Sequence, residues 1–233
     1  MAKLKLPMPP TDKAQSEKNS KEQYEALGRF VEAFELMVDE IRGTCLDRIW
    51  EAVTRNTGLA HDPDYFFRKM LIDIPLHQQN MTAKPLWDVA RSVVTEIVSQ
   101  EGNAHHTDRA KFKSLLGSME GELGTLMHKR NTLLHGTWLI GFTSEDDPNN
   151  EKFRVRKFQT TADGLQQVKE LPQDVSQLSV LTKRCDELRS WVAEVDWCLR
   201  KTKPLSDHFK YEKKKWFHRH FQSSTDWTTL PDK

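Results

Sequence analysis

The chain has 233 residues, enough to bury a real core, and its balance of 37% hydrophobic and 30% charged residues excludes a wholly disordered protein. Lys and Arg number 35 against 34 Asp and Glu, a formal net charge of +1, so bulk charge announces no nucleic-acid partner. Any such binding must come from a local cluster.

Cys45, Cys185 and Cys198 are odd in number, widely spaced and free of any Cys-x-x-Cys arrangement. That argues against a disulfide framework or a zinc ribbon and for reduced thiols. Met1-Ala2-Lys3-Leu4-Lys5-Leu6-Pro7 lacks the apolar run of a signal peptide, and no window approaches the roughly 18 apolar residues that suggest a membrane span. The expected location is cytoplasmic.

Residues 1–20, polar and with three prolines, read as a flexible arm. From Lys21, the three- and four-residue spacing of Leu27, Phe30, Val31, Phe34, Val38, Ile41, Cys45 and Ile49 marks one face of a long helix, which Gly58 ends. Asp62-Pro63 has the form of an N-cap followed by proline, opening a short helix. Thr82 or Lys84, with Pro85, opens another whose inward residues are Leu86, Val89, Val93, Ile97 and Val98, and Gly102-Asn103 stops it. Thr107 suits the N-cap of the next helix, carried by Phe112, Leu115, Leu116, Met119, Leu123, Leu126 and Met127 and terminated at Gly136.

The period then changes. Trp138–Phe142 and Phe153–Phe158 are β-prone runs flanking the turn-forming stretch Ser144–Asn150, which predicts a hairpin at about 138–161. Leu178, Leu181, Cys185, Leu188, Val192, Val195 and Leu199 form an unbroken helical seam of the coiled-coil kind, ended by Pro204. The predicted layout is a flexible arm (1–20), a helical domain (21–204) and a basic aromatic tail (205–233). The predicted fold class is all-α, a four- to five-helix bundle with an inserted β-hairpin.

The chemistry concentrates in Arg130-Asn131-Thr132-Leu133-Leu134-His135. Each helical residue advances by about 100°, so Asn131 and His135 share a face and Arg130 sits on its flank. The set comprises a cation that cannot deprotonate, an amide that can orient a ligand and an imidazole that titrates near neutral pH. RNA cleavage by internal transfer needs a base for the ribose 2′-hydroxyl, an acid for the leaving 5′-oxygen and positive charge for the phosphate. One chain supplies one such histidine, whereas a two-fold dimer supplies two, so the chemistry predicts a homodimer. The plainer reading is an exposed arginine and a histidine stabilising the helix dipole.

Arg, a polar residue, three further positions and His is a pattern that resembles the HEPN superfamily, here Arg130-Asn131-Thr132-Leu133-Leu134-His135 followed by Gly136-Thr137-Trp138. Leu27-Gly28-Arg29-Phe30 in the first long helix, the helix start Met81-Thr82-Ala83-Lys84-Pro85-Leu86 and the late helices extend the resemblance over roughly residues 24–200. It implies a HEPN-type bundle that dimerises around a metal-independent endoribonuclease site, with Arg130 and His135 catalytic and Asn131 positioning them. It implies RNA as substrate, no cofactor, a role in bacterial anti-phage defence or as a toxin, and with that an antitoxin or regulatory partner. The alternative is a non-catalytic helical protein that binds RNA, a nucleotide or a protein partner.

Two further clusters read as RNA contacts. Lys152, Arg154 and Arg156 alternate along a predicted strand and share a face, although a solvated hairpin face is the commoner outcome. Lys213, Lys214, Lys215 and Trp216 lie in a tail that interleaves cations with aromatics, as single-stranded RNA binding requires. The plainer reading there is an amphipathic helix packing Tyr211, Trp216 and Phe217. His105-His106 and His218-x-His220 lack further ligands at suitable spacing, so no metal site is expected. His128 reads as a partly buried helix residue with at most an accessory role, and Glu120 and Glu122 as surface-paired carboxylates further up the same helix.

Overall fold

The computed structural model describes residues 13–57, 82–100, 103–134, 137–139, 153–161, 164–173, 175–213 and 215–219, with the strands between 137 and 173 described by their backbone. The fold is all-α with inserted antiparallel β structure. Among the described residues there are five helices: α1 (Lys13–Thr57), α2 (Ala83–Ser99), α3 (Arg109–Leu134), α4 (Val175–Lys201) and the single turn α5 (Leu205–His208). Strands β1 (Thr137–Leu139), β2 (Phe153–Thr161) and β3 (Gly164–Gln173) form one sheet, and β4 (Phe209–Glu212) pairs with β5 (Lys215–His218) in another. None of the described helices is long and apolar enough to cross a membrane. The chain divides into two compact units, residues 1–37 with 124–186 and residues 38–123 with 187–233.

The first unit takes the start of α1, the end of α3, the three-stranded sheet and the start of α4. α1 begins at Lys13, so the stretch from 13 to 20 expected as flexible arm is helical. Its buried stripe is Ala26, Phe30, Ala33, Phe34 and Met37, while Leu27 and Val31 lie half-buried beside it. Leu126 and Leu133 of α3 and Leu178, Leu181 and Cys185 of α4 are also buried. Each such large side chain contributes roughly 1.5–3 kcal/mol by leaving water.

The predicted pairing of the two β-prone runs is present as β1 against β2, with Trp138 opposite Val155. The turn expected at Ser144–Asn150 lies outside the described residues. β2 is the central strand, because β3 pairs along its other edge from Phe153↔Gln173 to Thr161↔Gly164, with a register shift between Lys157 and Phe158. Pro172 fits an edge strand, since it has no N–H to give to a further neighbour. β3 was not anticipated from the sequence. Its sequence signal is the dipeptide Asp163-Gly164, a turn-forming pair that directly follows Thr161-Ala162 in the chain.

The second unit takes the rest of α1, α2, a 3-10 turn (His106–Asp108), the start of α3, the end of α4, α5 and the β4–β5 hairpin. Thr107, the expected N-cap, falls inside the 3-10 turn that leads into α3. The buried face of α2 is Ala83, Leu86, Trp87, Ala90, Val94 and Val98, and the expected Val89, Val93 and Ile97 are half-buried along its margin. The short helix expected after Asp62-Pro63 lies outside the described residues.

Every residue of the predicted α4 seam is buried. α4 ends with Thr202 at φ 50 and with the Lys203 amide donating to the Cys198 carbonyl at 3.1 Å. This six-to-one bond is a Schellman closure with threonine at the position that glycine usually takes, and Pro204 follows it.

Buried charge ties α1 to α4 in this unit. Arg48 lies on the buried stripe one turn after Cys45, its side chain only 5% exposed. Its Nε sits 2.7 Å from Oδ1 of Asp196, close but off the N–H direction, and a terminal nitrogen lies 2.5 Å from Glu51. Asp196 also accepts from Arg200 at 2.6 Å, and Arg200 pairs in turn with Asp47.

None of the three cysteines is in a disulfide, and all are buried. Burial pushes the Cys45 thiol up to about 12, and burial with the charges of Glu194 and Asp207 does the same for Cys198. Because these folded values lie above the ordinary 9.0, their contribution to stability is intact below about pH 9 and is lost as pH rises towards 12. At pH 8 the native protein is expected to resist a disulfide reagent such as DTNB, all three thiols reacting only in guanidinium. Rapid titration of two or more thiols in the native state would contradict this.

Candidate functional site

Periodicity explains the position of Arg130. On α3 the buried stripe continues through Leu126 to Leu133, and Arg130 falls between them at the four- and three-residue steps where another apolar side chain would normally stand. The sequence placed Arg130 on the flank of the Asn131 face. In the structure it turns towards the packed side, and its side chain is 29% exposed.

A guanidinium in such a place needs compensation, and α1 supplies it. One terminal nitrogen donates to Oε1 of Glu35 at 3.0 Å, and Cζ lies 5.7 Å from the centroid of the Phe34 ring. The other terminal nitrogen donates to Oδ1 of Asn131 at 3.3 Å. Nε is enclosed without a hydrogen-bond acceptor. Glu35 is 52% exposed, so the pair lies at the rim of the packed region and is worth at most about 1 kcal/mol.

Asn131 is exposed, and its bond to Arg130 links the amide to the cation as the orienting role requires. Thr132 bonds back to the His128 carbonyl at 2.8 Å, Leu133 is buried and Leu134 is 38% exposed. His135 lies outside the described residues, one position beyond the last helical residue. The structure thus brings Arg130 and Asn131 together and adds Glu35 and Phe34. No sequence signal could have named these two, because the pair joins residues 95 apart in the chain.

Arg154 and Arg156 lie two apart in β2, with Arg156 opposite both Thr137 and Glu170 in the register, and Lys152 lies outside the described residues. In the tail, β4 and β5 form a hairpin, not the amphipathic helix that the plainer reading of the sequence predicts. Trp216 is buried and its Nε1 donates to Ser114 Oγ at 3.1 Å, so its indole anchors the hairpin to α3. Lys213 is exposed at the turn, Lys215 is half-buried, and Lys214 lies outside the described residues.

Several of the other sequence candidates have structural partners. His105 is buried, donates from Nε2 to the Cys198 carbonyl at 3.1 Å and meets Phe112 edge-on. Glu120 pairs with Lys84 and Arg91, and Glu122 is buried. His128 is exposed. His218 is buried 3.8 Å from Glu194, which also contacts His208 at 2.8 Å, and His220 lies outside the described residues. Among the described residues no three His, Cys, Asp or Glu side chains gather as a metal site. A cleft of about 440 Å³ between α2 and α3 interleaves Arg91, Arg109 and Lys113 with Asp88 and Glu96, a mixed lining with no strong preference for one sign of charge.

Comparisons with protein-family models, with curated proteins and with solved structures found no match.

Proposed function

We propose that the protein is a metal-independent endoribonuclease of HEPN type that acts as a homodimer, with Arg130, Asn131 and His135 as its working residues. The observation that carries this reading is Arg130 itself. A guanidinium stands on the apolar stripe of α3, and among the described residues it meets a rim carboxylate, an aromatic ring and the neighbouring amide. A residue chosen for packing alone would be apolar there. A cation kept at such a cost, beside an exposed amide and five positions before a histidine in the sequence, suits a group that must meet a phosphate.

In the proposed reaction the His135 imidazole of one protomer takes the proton of the ribose 2′-hydroxyl. The 2′-oxygen attacks phosphorus, the bond from phosphorus to the 5′-oxygen breaks, and the second protomer's imidazole gives the departing oxygen its proton. The products are a 2′,3′-cyclic phosphate and a 5′-hydroxyl, and no metal takes part. Arg130 offsets charge on the phosphoryl oxygens, and Asn131 orients the guanidinium. A role in anti-phage defence or as a toxin restrained by an antitoxin belongs to the same reading.

Incubation of single-stranded and transfer-RNA-like substrates with the folded protein in EDTA is the test. Cleavage leaving cyclic phosphate ends is expected, and intact RNA would refute the proposal. A second reading, a non-catalytic binding protein, is favoured by the ion pair that occupies Arg130. The EDTA cleavage assay separates the two, and Glu35→Gln tests whether the guanidinium serves a phosphate in either. If the guanidinium serves a phosphate, freeing it should tighten RNA binding by about two- to fivefold, the worth of a rim ion pair. Unchanged binding with a lower Tm would make the pair structural.

A further inference from the structure

The geometry points to the outer face of the β4–β5 hairpin as a binding surface for single-stranded RNA, with Phe217 as its stacking ring. Directly opposed residues of an antiparallel pair share a face. Phe209 stands opposite His218 and Tyr211 opposite Trp216, and the burial of Phe209, His218 and Trp216 makes theirs the inner face. It is fixed by Phe209 edge-on to Trp191 at 5.7 Å and by the bond from Trp216 to Ser114. The outer face is therefore Lys210 opposite Phe217 and Glu212 opposite Lys215. Phe217 is 40% exposed although Phe209 and Trp216 of the same hairpin are packed; Tyr211, on the inner face near the turn, is 53% exposed and leans on the Trp216 ring at 5.0 Å.

Charge identifies the occupant. Between residues 209 and 219 the sequence has five Lys or Arg and one acid, Glu212, whose carboxylate is already held by Lys210 at 2.5 Å. Lys213, at the turn, has φ 48, a left-handed conformation that glycine or asparagine adopts at less cost, so turn chemistry does not call for a lysine there. Lys213 and Arg219 are exposed at the two ends of β5. An open ring between cations is what a sequence-tolerant strand binder needs: a base stacks on the ring and phosphates meet the flanking charges. An acidic protein surface would use the cations and leave the ring idle.

This surface rests on the RNA reading above only for the identity of its ligand. The test uses the full chain and a fluorescein-labelled, fully 2′-O-methylated 12-nucleotide single strand, which cannot be cleaved, with anisotropy read in EDTA. Phe217→Ala should weaken binding roughly tenfold, as loss of one stacked base does, and Phe217→Trp should retain it. Lys213→Gly should weaken binding about twofold and lower its salt dependence while Tm stays level or rises, because glycine suits φ 48. Wild-type affinity in Phe217→Ala, or equal binding of double-stranded RNA unaffected by that change, would overturn the proposal. Cleavage of unmodified RNA is scored separately: binding through Phe217 without cleavage removes the nuclease reading alone, and cleavage with Phe217→Ala binding normally removes the hairpin surface alone.

Discussion

Arg130→Ala and His135→Ala are each expected to abolish RNA cleavage while the fold survives. Removing a general acid or base costs about 10²–10⁴ in rate, and removing a fixed charge from a crowded phosphate costs a comparable factor. The effect on stability should be small. Arg130 contributes a rim ion pair with the half-exposed Glu35 and one contact with Phe34, together about 1 kcal/mol. Arg130→Lys tests the geometry: it keeps the charge and loses the planar fork that reaches Glu35 and Asn131 from separate nitrogens, so most activity should go with it. Matched circular dichroism and melting curves with cleavage at least a hundredfold down are the expected readout. Retention of activity by either alanine variant would exclude the proposed roles.

Arg48→Ala should produce the largest loss of stability among single polar substitutions. Breaking a buried ion pair by deleting one partner costs about 3–5 kcal/mol, because the survivor stays buried without its counter-charge. Asp196 keeps Arg200, and Glu51 can turn towards solvent, which puts the expectation near the low end, about 3 kcal/mol. In a chain of this length that is a fall in Tm of roughly 6–12 °C. The double variant Arg48→Met, Asp196→Leu should recover most of the loss, since apolar residues fill the site without desolvated charge. Urea unfolding of the two variants checks both, and an Arg48→Ala midpoint equal to that of wild type would contradict the network's role.

These cases show what the sequence makes legible. Where one apolar stripe runs cleanly, as from Leu178 to Leu199, spacing alone locates the buried face. On α2 it does not, because Val89, Val93 and Ile97 lie on a track beside Ala90, Val94 and Val98. Trp87 and the small Ala90 decide which track packs, and a hydrophobic count weighs both alike. β3 escaped because Gln166, Gln167, Lys169 and Glu170 carry little β-propensity, and its order comes from pairing with β2. The alternation Phe209-Lys210-Tyr211-Glu212 was a strand signal, overshadowed by the charge run beside it.

The candidate site was legible as a motif, and its setting was not. The spacing from Leu126 to Arg130 to Leu133 already puts the arginine on the packed side, but the neutralising Glu35 belongs to α1 and leaves no local trace. For the same reason Trp216 read as a stacking ring, although the structure gives it an anchoring bond to Ser114. Long-range partners settle whether a polar or aromatic side chain faces solvent, and spacing in one segment carries no record of them.

The most direct test of the central claim is cleavage, in EDTA, of an RNA in which a single 2′-deoxynucleotide replaces the residue on the 5′ side of the cut. The parent RNA should be cut to a 2′,3′-cyclic phosphate, and the substituted strand should stay intact at that position, because the proposed reaction uses the 2′-oxygen as the attacking atom. Cutting at the deoxy position, or no cutting of the parent, would contradict the account.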